Sequence, residues 1–363
     1  MEALAISQLA VRDLRNLHAV DAELGDRFNV IHGGNGQGKT NLIEAIYLVA
    51  TSRSFRTKQG SEVIRRGSEQ ASIRATIVEG GLSRDQSLGV GMGVRALRID
   101  GARPRSSAMY AARTPVVVFS PVSLALTMGS SNERRALLDR IVLYSEPTSL
   151  AELTAYKHAV RERQRALEER GVNARDLEDW EELTVRHGKR VMDGRDVAAS
   201  ALLANAREAF ATIVRGALDL TGAYIPSAPC DVEKYRVALA GSRARDLRRG
   251  SASIGPHRDE LTLDIAGMPA RTTASQGQHR ALVLALKAAE LAVIGRSRGT
   301  RPILLLDDVS SELDAERTEA LLTFLASQHG QVFLTTARPE LIALKTSDKN
   351  RVDFKIVAGH LTR

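Results

Sequence analysis

Apolar and polar residues form short runs over the first third of the chain, take helical spacing through the middle, and return to short runs towards the end. Ala3–Ala10, Ala19–Leu24 and Phe28–His32 predict strands, the last leading into a Gly-rich turn and then a helical pattern. In that pattern Leu42, Ile43, Ile46, Tyr47 and Ala50 recur at helical spacing, which predicts a helix that buries one face. Further strands are expected at Ala71–Val78, Gln86–Val90 and Ala96–Ile99, with a buried one at Pro115–Phe119, in the pattern of a mixed sheet.

From about Asn132 to Val214 Gly and Pro are sparse, charges are dense, and apolar residues such as Leu153, Val160 and Leu167 follow a helical period. Long amphipathic helices are expected, as a lobe or short hairpin. Fewer than about 100 residues cannot build the arms of a long coiled-coil protein. GSRARDLRRG at 241–250 looks like a basic connector, after which strands return at Leu261–Ile265, Ile303–Leu306 and Gln331–Thr335, with a helix over Gln278 to Ile294. The expected architecture is α/β: a head of residues 1–115 and 245–363, interrupted by a mainly helical lobe at 116–244.

Composition narrows the partners. Of 363 residues 43% are hydrophobic, enough for a substantial core, while 51 Lys and Arg against 43 Asp and Glu give a net charge of +8. The pI near 9.8 favours an anionic partner such as nucleic acid, although a solvated basic surface gives the same balance. A single cysteine, Cys230, excludes an intramolecular disulfide and any paired-cysteine zinc site. The first residues carry Glu2, Arg12 and Asp13 without an apolar core, and Lys287 and Glu290 interrupt the most apolar helix, Ala281 to Ile294. A cytoplasmic location without a membrane segment is therefore expected.

Three motifs carry chemistry. Residues 33–40, GGNGQGKT, match G-x-x-x-x-G-K-[ST] between a predicted strand and a predicted helix. In such a loop backbone N–H groups wrap phosphate oxygens, Lys39 reaches the outer phosphates, and the Thr40 hydroxyl ligates Mg²⁺. The expected nucleotide-binding set is Gly33, Gly34, Asn35, Gly36, Gln37, Gly38, Lys39, Thr40 and Asn41, with ATP and Mg²⁺ as cofactors. Second, RPILLLDDVSSELD at 301–314 is an apolar strand ending in two carboxylates. There Asp307 can join Thr40 at the metal and Asp308 can orient or deprotonate the attacking water, so Lys39 and Asp308 are the expected catalytic residues. Third, ASQGQHR at 274–280 precedes an amphipathic helix. Such turns are common, and this one gains weight from its order after the other two.

The third segment loosely resembles the LSGGQ signature of ABC-type ATPases through Ser275, Gly277 and Gln278. That resemblance implies that it closes over the γ-phosphate held by a second subunit. Lys39 and Ser275 lie about twice as far apart as in transporter ATPases, and the helices at 132–214 account for the insertion, as in SMC-like ATPases acting on DNA. Within that group the chain resembles the RecF family over nearly its whole length, through KTNLIEAIYLVATSRSFRT at 39–57, FSPVSLALTMGSSNERRALLDR at 119–140, SIGPHRDEL at 253–261 and DDVSSELD at 307–314. It departs from the family pattern at Val122, Ser131 and Leu137, where an acidic residue, proline and an aromatic are usual.

The resemblance implies an ATP-gated homodimeric clamp on gapped DNA and single-strand/duplex junctions, acting in recombinational repair with RecO and RecR and assisting RecA loading. Because Asp308 stands where many ABC-type ATPases carry the longer Glu, weak ATPase activity is expected. Arg53, Arg56, Lys58, Arg65, Arg66, Arg243, Arg245, Arg248 and Arg249 form basic clusters suited to DNA phosphates, whereas RERQRALEER at 161–170 mixes signs and predicts a solvated helix face. His257 and Arg258 fit a hydrogen-bonded turn better than a catalytic pair, and Arg338 stands where related ATPases sense the γ-phosphate, with Thr336 in place of the usual His. A non-DNA ABC ATPase, or a scaffold that binds ATP without useful turnover, remains open on the motifs alone.

Overall fold

The computed structural model describes residues 2–308, 330–339, 342 and 350–363. Residues 309–314 of the DDVSSELD segment lie outside the described residues.

Fourteen described strands form three sheets rather than one mixed sheet. β1 (Leu4–Leu14), β2 (Leu17–Glu23), β4 (Ala71–Glu79), β5 (Leu82–Gly91) and β6 (Val94–Ile99) make an antiparallel sheet in the order β2-β1-β4-β5-β6. β3 (Phe28–His32), β7 (Val116–Phe119), β11 (Ile303–Leu306), β12 (Val332–Thr336), β13 (Arg351–Val357) and β14 (His360–Thr362) make a second sheet, ordered β14-β13-β3-β12-β11-β7. It is parallel except for the β13–β14 hairpin. β8 (Leu220–Ile225), β9 (Glu260–Ile265) and the short β10 (Met268–Pro269) form the third.

The burial patterns explain the separation. β4 alternates buried and accessible residues, as a sheet with one solvated face requires, whereas β7 and β11 are buried at every position. α1 (Lys39–Thr51) lies between the two large sheets and is buried nearly all round, not on one face. Its core includes Ile43 and Ile46 from the helix, Ile6 and Ile73 from the antiparallel sheet, and Ile31, Leu305 and Phe333 from the parallel one.

The alternate residues of the parallel strands, such as Val30, Val117, Leu304 and Leu334, face a second core. That core holds α4 (Ser131–Ser145), the later turns of α6 (Leu177–Ile213) and α9 (Gln276–Arg298). Two short helices, α2 (Ser107–Ala112) and α3 (Ala125–Met128), precede α4, and α8 (Ala270–Thr273) leads into α9. The expected lobe therefore shares its inner core with the head. The expected division at 115/116 falls just before β7, a strand of the parallel sheet, and that at 244/245 falls inside α7 (Val232–Arg249).

α5 (Ser149–Arg170), α6 and α7 pack together beyond this core, and here two expectations are corrected. The basic run at 241–250 is no connector but the last turns of α7, capped by Gly250 in the left-handed conformation. Nor is 161–170 wholly solvated. Arg163 is fully buried, donating to Glu181 at 3.0 Å, to Asp246 at 2.8 Å and to Ser242 at 3.2 Å, so one guanidinium ties the three helices. His257 and Arg258 sit in the turn before β9, where His257 bonds the Tyr156 hydroxyl at 2.5 Å and the Ala252 carbonyl at 3.0 Å. Burial holds this imidazole below its ordinary pKa, as fits a structural hydrogen-bonding role. Among the described residues no helix is long and apolar enough to cross a membrane, and Cys230 is exposed.

Candidate functional site

The loop between β3 and α1 carries GGNGQGKT to the edge where the parallel strands end. Two of its glycines, Gly33 and Gly38, are required by close approach. A Cβ on Gly33 would stand 2.3 Å from the Ile356 carbonyl oxygen of β13, and Gly38, at φ +120, would bring one to 2.9 Å from Asn16 Oδ1. Gln37 holds the loop to the β13–β14 turn, its Oε1 accepting from Ala358 N at 2.6 Å and its carbonyl from Gly359 N at 2.9 Å. Gly34, Asn35 and Gly36 are exposed.

Lys39 is buried, and its Nζ donates to the Gly33 and Gly34 carbonyls at 2.7 and 2.9 Å. Thr40 Oγ1 donates to Asp307 Oδ1 at 2.9 Å, joining the phosphate loop to the end of β11. Asp307 is buried, and that burial pushes its carboxyl above the ordinary value, although the Thr335 and Thr40 hydroxyls partly oppose the shift. Asp308 is half-buried with φ +55, a left-handed conformation that Asp tolerates better than most residues. A hydroxyl and a carboxylate oxygen in contact are hard donors that suit Mg²⁺, and the loop with its buried lysine suits a polyphosphate. The residues present therefore fit MgATP.

Ser275 and Gln278 stand apart from this cluster. Ser275 caps α9, accepting from Gln278 N at 3.2 Å while Gln278 Oε1 accepts from Ser275 N at 2.7 Å. Gly277 follows in the first turn. Among the described residues no hydrogen bond links these three to residues 33–41. Arg338 is exposed, with its N–H bonded to Thr336 Oγ1 at 2.9 Å.

Several residues around the loop escape the motifs. Asn16 Oδ1 accepts from Asn41 Nδ2 at 2.7 Å, and Asn41 Oδ1 accepts from Arg56 at 2.8 Å. Glu44 is fully buried under Arg15 at 3.0 Å and Arg56 at 3.1 Å. Burial alone would raise its pKa, but Arg15, Ser54 and Arg56 outweigh it and hold the carboxylate low. The sequence trace of this pairing is an acidic residue in a largely apolar helix, with one partner, Arg56, soon after it and the other, Arg15, well before it.

The basic candidates divide in the same way. Arg56 and Arg243 are engaged by Glu44 and Glu181, Arg65 lies 3.8 Å from Asp13, and Arg245 bonds Ser253 at 2.9 Å. Arg53, Lys58, Arg66, Arg248 and Arg249 are exposed, and their side chains make no ion pair or hydrogen bond among the described residues.

A phosphate loop bonded to an acidic strand end on a parallel sheet, with helices inserted between the motifs, defines an ABC-type ATPase head of the SMC kind. The chain matches the model of the RecF/RecN/SMC N terminal domain over residues 5–354. It belongs to the RecF family, being 37% identical over 351 residues to the DNA replication and repair protein RecF of Myxococcus xanthus, with 94% of this chain and 92% of that one covered. The RecF of Geobacter sulfurreducens is 34% identical, covering 98% of this chain and 99% of that one. Among solved structures, the recombination mediator protein RecF with ATP, of the RecFOR pathway, superposes with a TM-score of 0.89 at 27% identity over 100% of this chain and 99% of that one. The Smc head domain of Pyrococcus furiosus, at 16% identity and a TM-score of 0.56 over 100% of this chain and 96% of that one, shares the fold.

Proposed function

We propose that this chain is an ATP-gated, DNA-binding ATPase of recombinational repair and replication. The observation that carries the reading is the contact between Thr40 and Asp307 beside the buried Lys39, which gathers the expected phosphate and metal ligands at one strand edge. Thr40 and Asp307 would hold Mg²⁺, which when bound neutralises phosphate charge, while residues 33–41 wrap the phosphates. Asp308 orients or deprotonates the attacking water. Its short side chain makes turnover slow, so that ATP acts as a switch and hydrolysis as a release.

In this reading the head comprises the two large sheets with α1 and α9, β7 included, and the lobe comprises α5, α7 and the outer turns of α6. A second copy supplies Ser275, Gly277 and Gln278 to the γ-phosphate, making a symmetric dimer that encloses DNA at gaps and single-strand/duplex junctions. RecR and RecO are the partners that family membership favours, with RecA loading as the outcome and the cytoplasm as the place. Solved RecF with ATP in the RecFOR pathway supports this assignment.

The deciding experiment is DNA affinity with and without ATP across a salt series. Affinity is expected to rise with ATP and to fall steeply with salt, by about 0.9 in the logarithmic slope per phosphate contact. Glu at both Arg248 and Arg249 is expected to flatten that slope. An unchanged slope moves the DNA surface elsewhere, and no binding at low salt favours an ABC ATPase that does not act on DNA. Separately, Ser275→Arg is expected to bind nucleotide yet sediment as a monomer with ATP, because the bulky cation occupies the intersubunit contact. Dimerisation like the parent's would remove the signature from the interface.

A further inference from the structure

Thr335 is the penultimate residue of β12, beside β11, and nothing of its side chain reaches solvent. Its Oγ1 lies 2.9 Å from Asp307 Oδ1 and 2.8 Å from the backbone N of Asp308. The amide can only donate, so the hydroxyl accepts from Asp308 and commits its single proton to Asp307. One buried side chain thus holds both consecutive acidic residues, by the carboxylate of the first and the backbone of the second. Asp307 Oδ1 takes a second hydrogen bond from Thr40. The left-handed Asp308 follows directly, a conformation that persists only where the surroundings fix it.

We infer that Thr335 is a positioning residue for the metal-binding and water-activating carboxylates. The inference rests on the MgATP reading above. A buried β-branched residue on a strand has little rotational freedom, so its hydroxyl sets the direction of Asp307 and pins the backbone from which the Asp308 side chain departs. The strand ends at the next residue, Thr336, to whose hydroxyl the Arg338 N–H is bonded, so the segment expected to sense the γ-phosphate and the pair proposed to handle metal and water share one anchor.

The test compares Thr335→Val, which keeps the shape and removes the hydroxyl, with Thr335→Ser, which restores it. The first measurement is Mg²⁺ titration of fluorescent ATP binding to the full chain, and the second is amide exchange at Asp308 without nucleotide. The Val variant is expected to need about 10–100-fold more Mg²⁺ for half-maximal binding, with metal-free nucleotide affinity unchanged and faster exchange at Asp308. The Ser variant is expected to return both towards the parent. Parental Mg²⁺ dependence in a folded Val variant would overturn the inference, and so would a Val defect that Ser fails to relieve. If the parent itself binds no nucleotide, the MgATP reading fails on its own account. Asp308 exchange then decides whether Thr335 holds the backbone, unchanged exchange in the Val variant overturning that as well.

Discussion

Lys39→Met is expected to lower ATP affinity and turnover by at least about 10²–10³-fold while leaving the melting temperature close to the parent's. The size follows from removing the cation that meets charge on the outer phosphates, comparable with deleting a principal electrostatic contact in other active sites. The small stability effect follows from where Lys39 lies. Its Nζ is bound to the carbonyls of Gly33 and Gly34, in a loop whose neighbours are exposed, so water can replace those bonds, and Met fills the space of the stem. Nucleotide titration and single-turnover cleavage, beside a thermal melt, check both halves. Parental affinity and turnover in a folded variant would exclude residues 33–40 as the phosphate site.

Asn at position 308 and Asn at position 307 are expected to fail in different ways. Asp308→Asn should still bind ATP with Mg²⁺, because Thr40 and Asp307 remain. Cleavage should fall by about 10²–10⁴-fold, the usual contribution of a general base, and the closed dimer should stay on DNA. The substitution is conservative for the backbone, since Asn adopts the left-handed conformation at φ +55 as readily as Asp. Asp307→Asn instead removes an anionic ligand next to the Thr40 hydroxyl and should raise the Mg²⁺ requirement. Single-turnover cleavage and DNA dissociation, measured together for both variants, separate the two. Parental cleavage by Asp308→Asn would remove it as the base.

The local units of the fold were legible because each depends on near neighbours in the chain. GGNGQGKT between an apolar strand and a helix, ILLLDD at a strand end, and the long charged helices all appear where their periods place them. The partition into sheets was also present in principle, in the alternation of β4 against the uninterrupted burial of β7 and β11, but reading it needs pairings across long separations. Charge was the least informative signal. Arg163 and Asp246 sit in segments that look solvated and Glu44 in an apolar helix, yet each is buried with a counter-charge that comes from another element. The last turns of α7 misled for the same reason. The residues they bury are Ser242 and Asp246 rather than a stripe of leucines.

The strand that launches the phosphate loop is hydrogen-bonded on one side to β12 and on the other to β13, both made about 300 residues later. Gln37 waits equally long for Ala358 and Gly359. On a ribosome adding about 5–20 residues per second, that delay lasts on the order of tens of seconds. Throughout it β1, β2 and α1 exist without the partners that shape the loop. Nucleotide thus has no completed pocket to stabilise until β12, β13 and the turn at 358–359 have been made, and its contribution to stability begins only then. The apolar α1, made early, is correspondingly a segment that needs protection during synthesis.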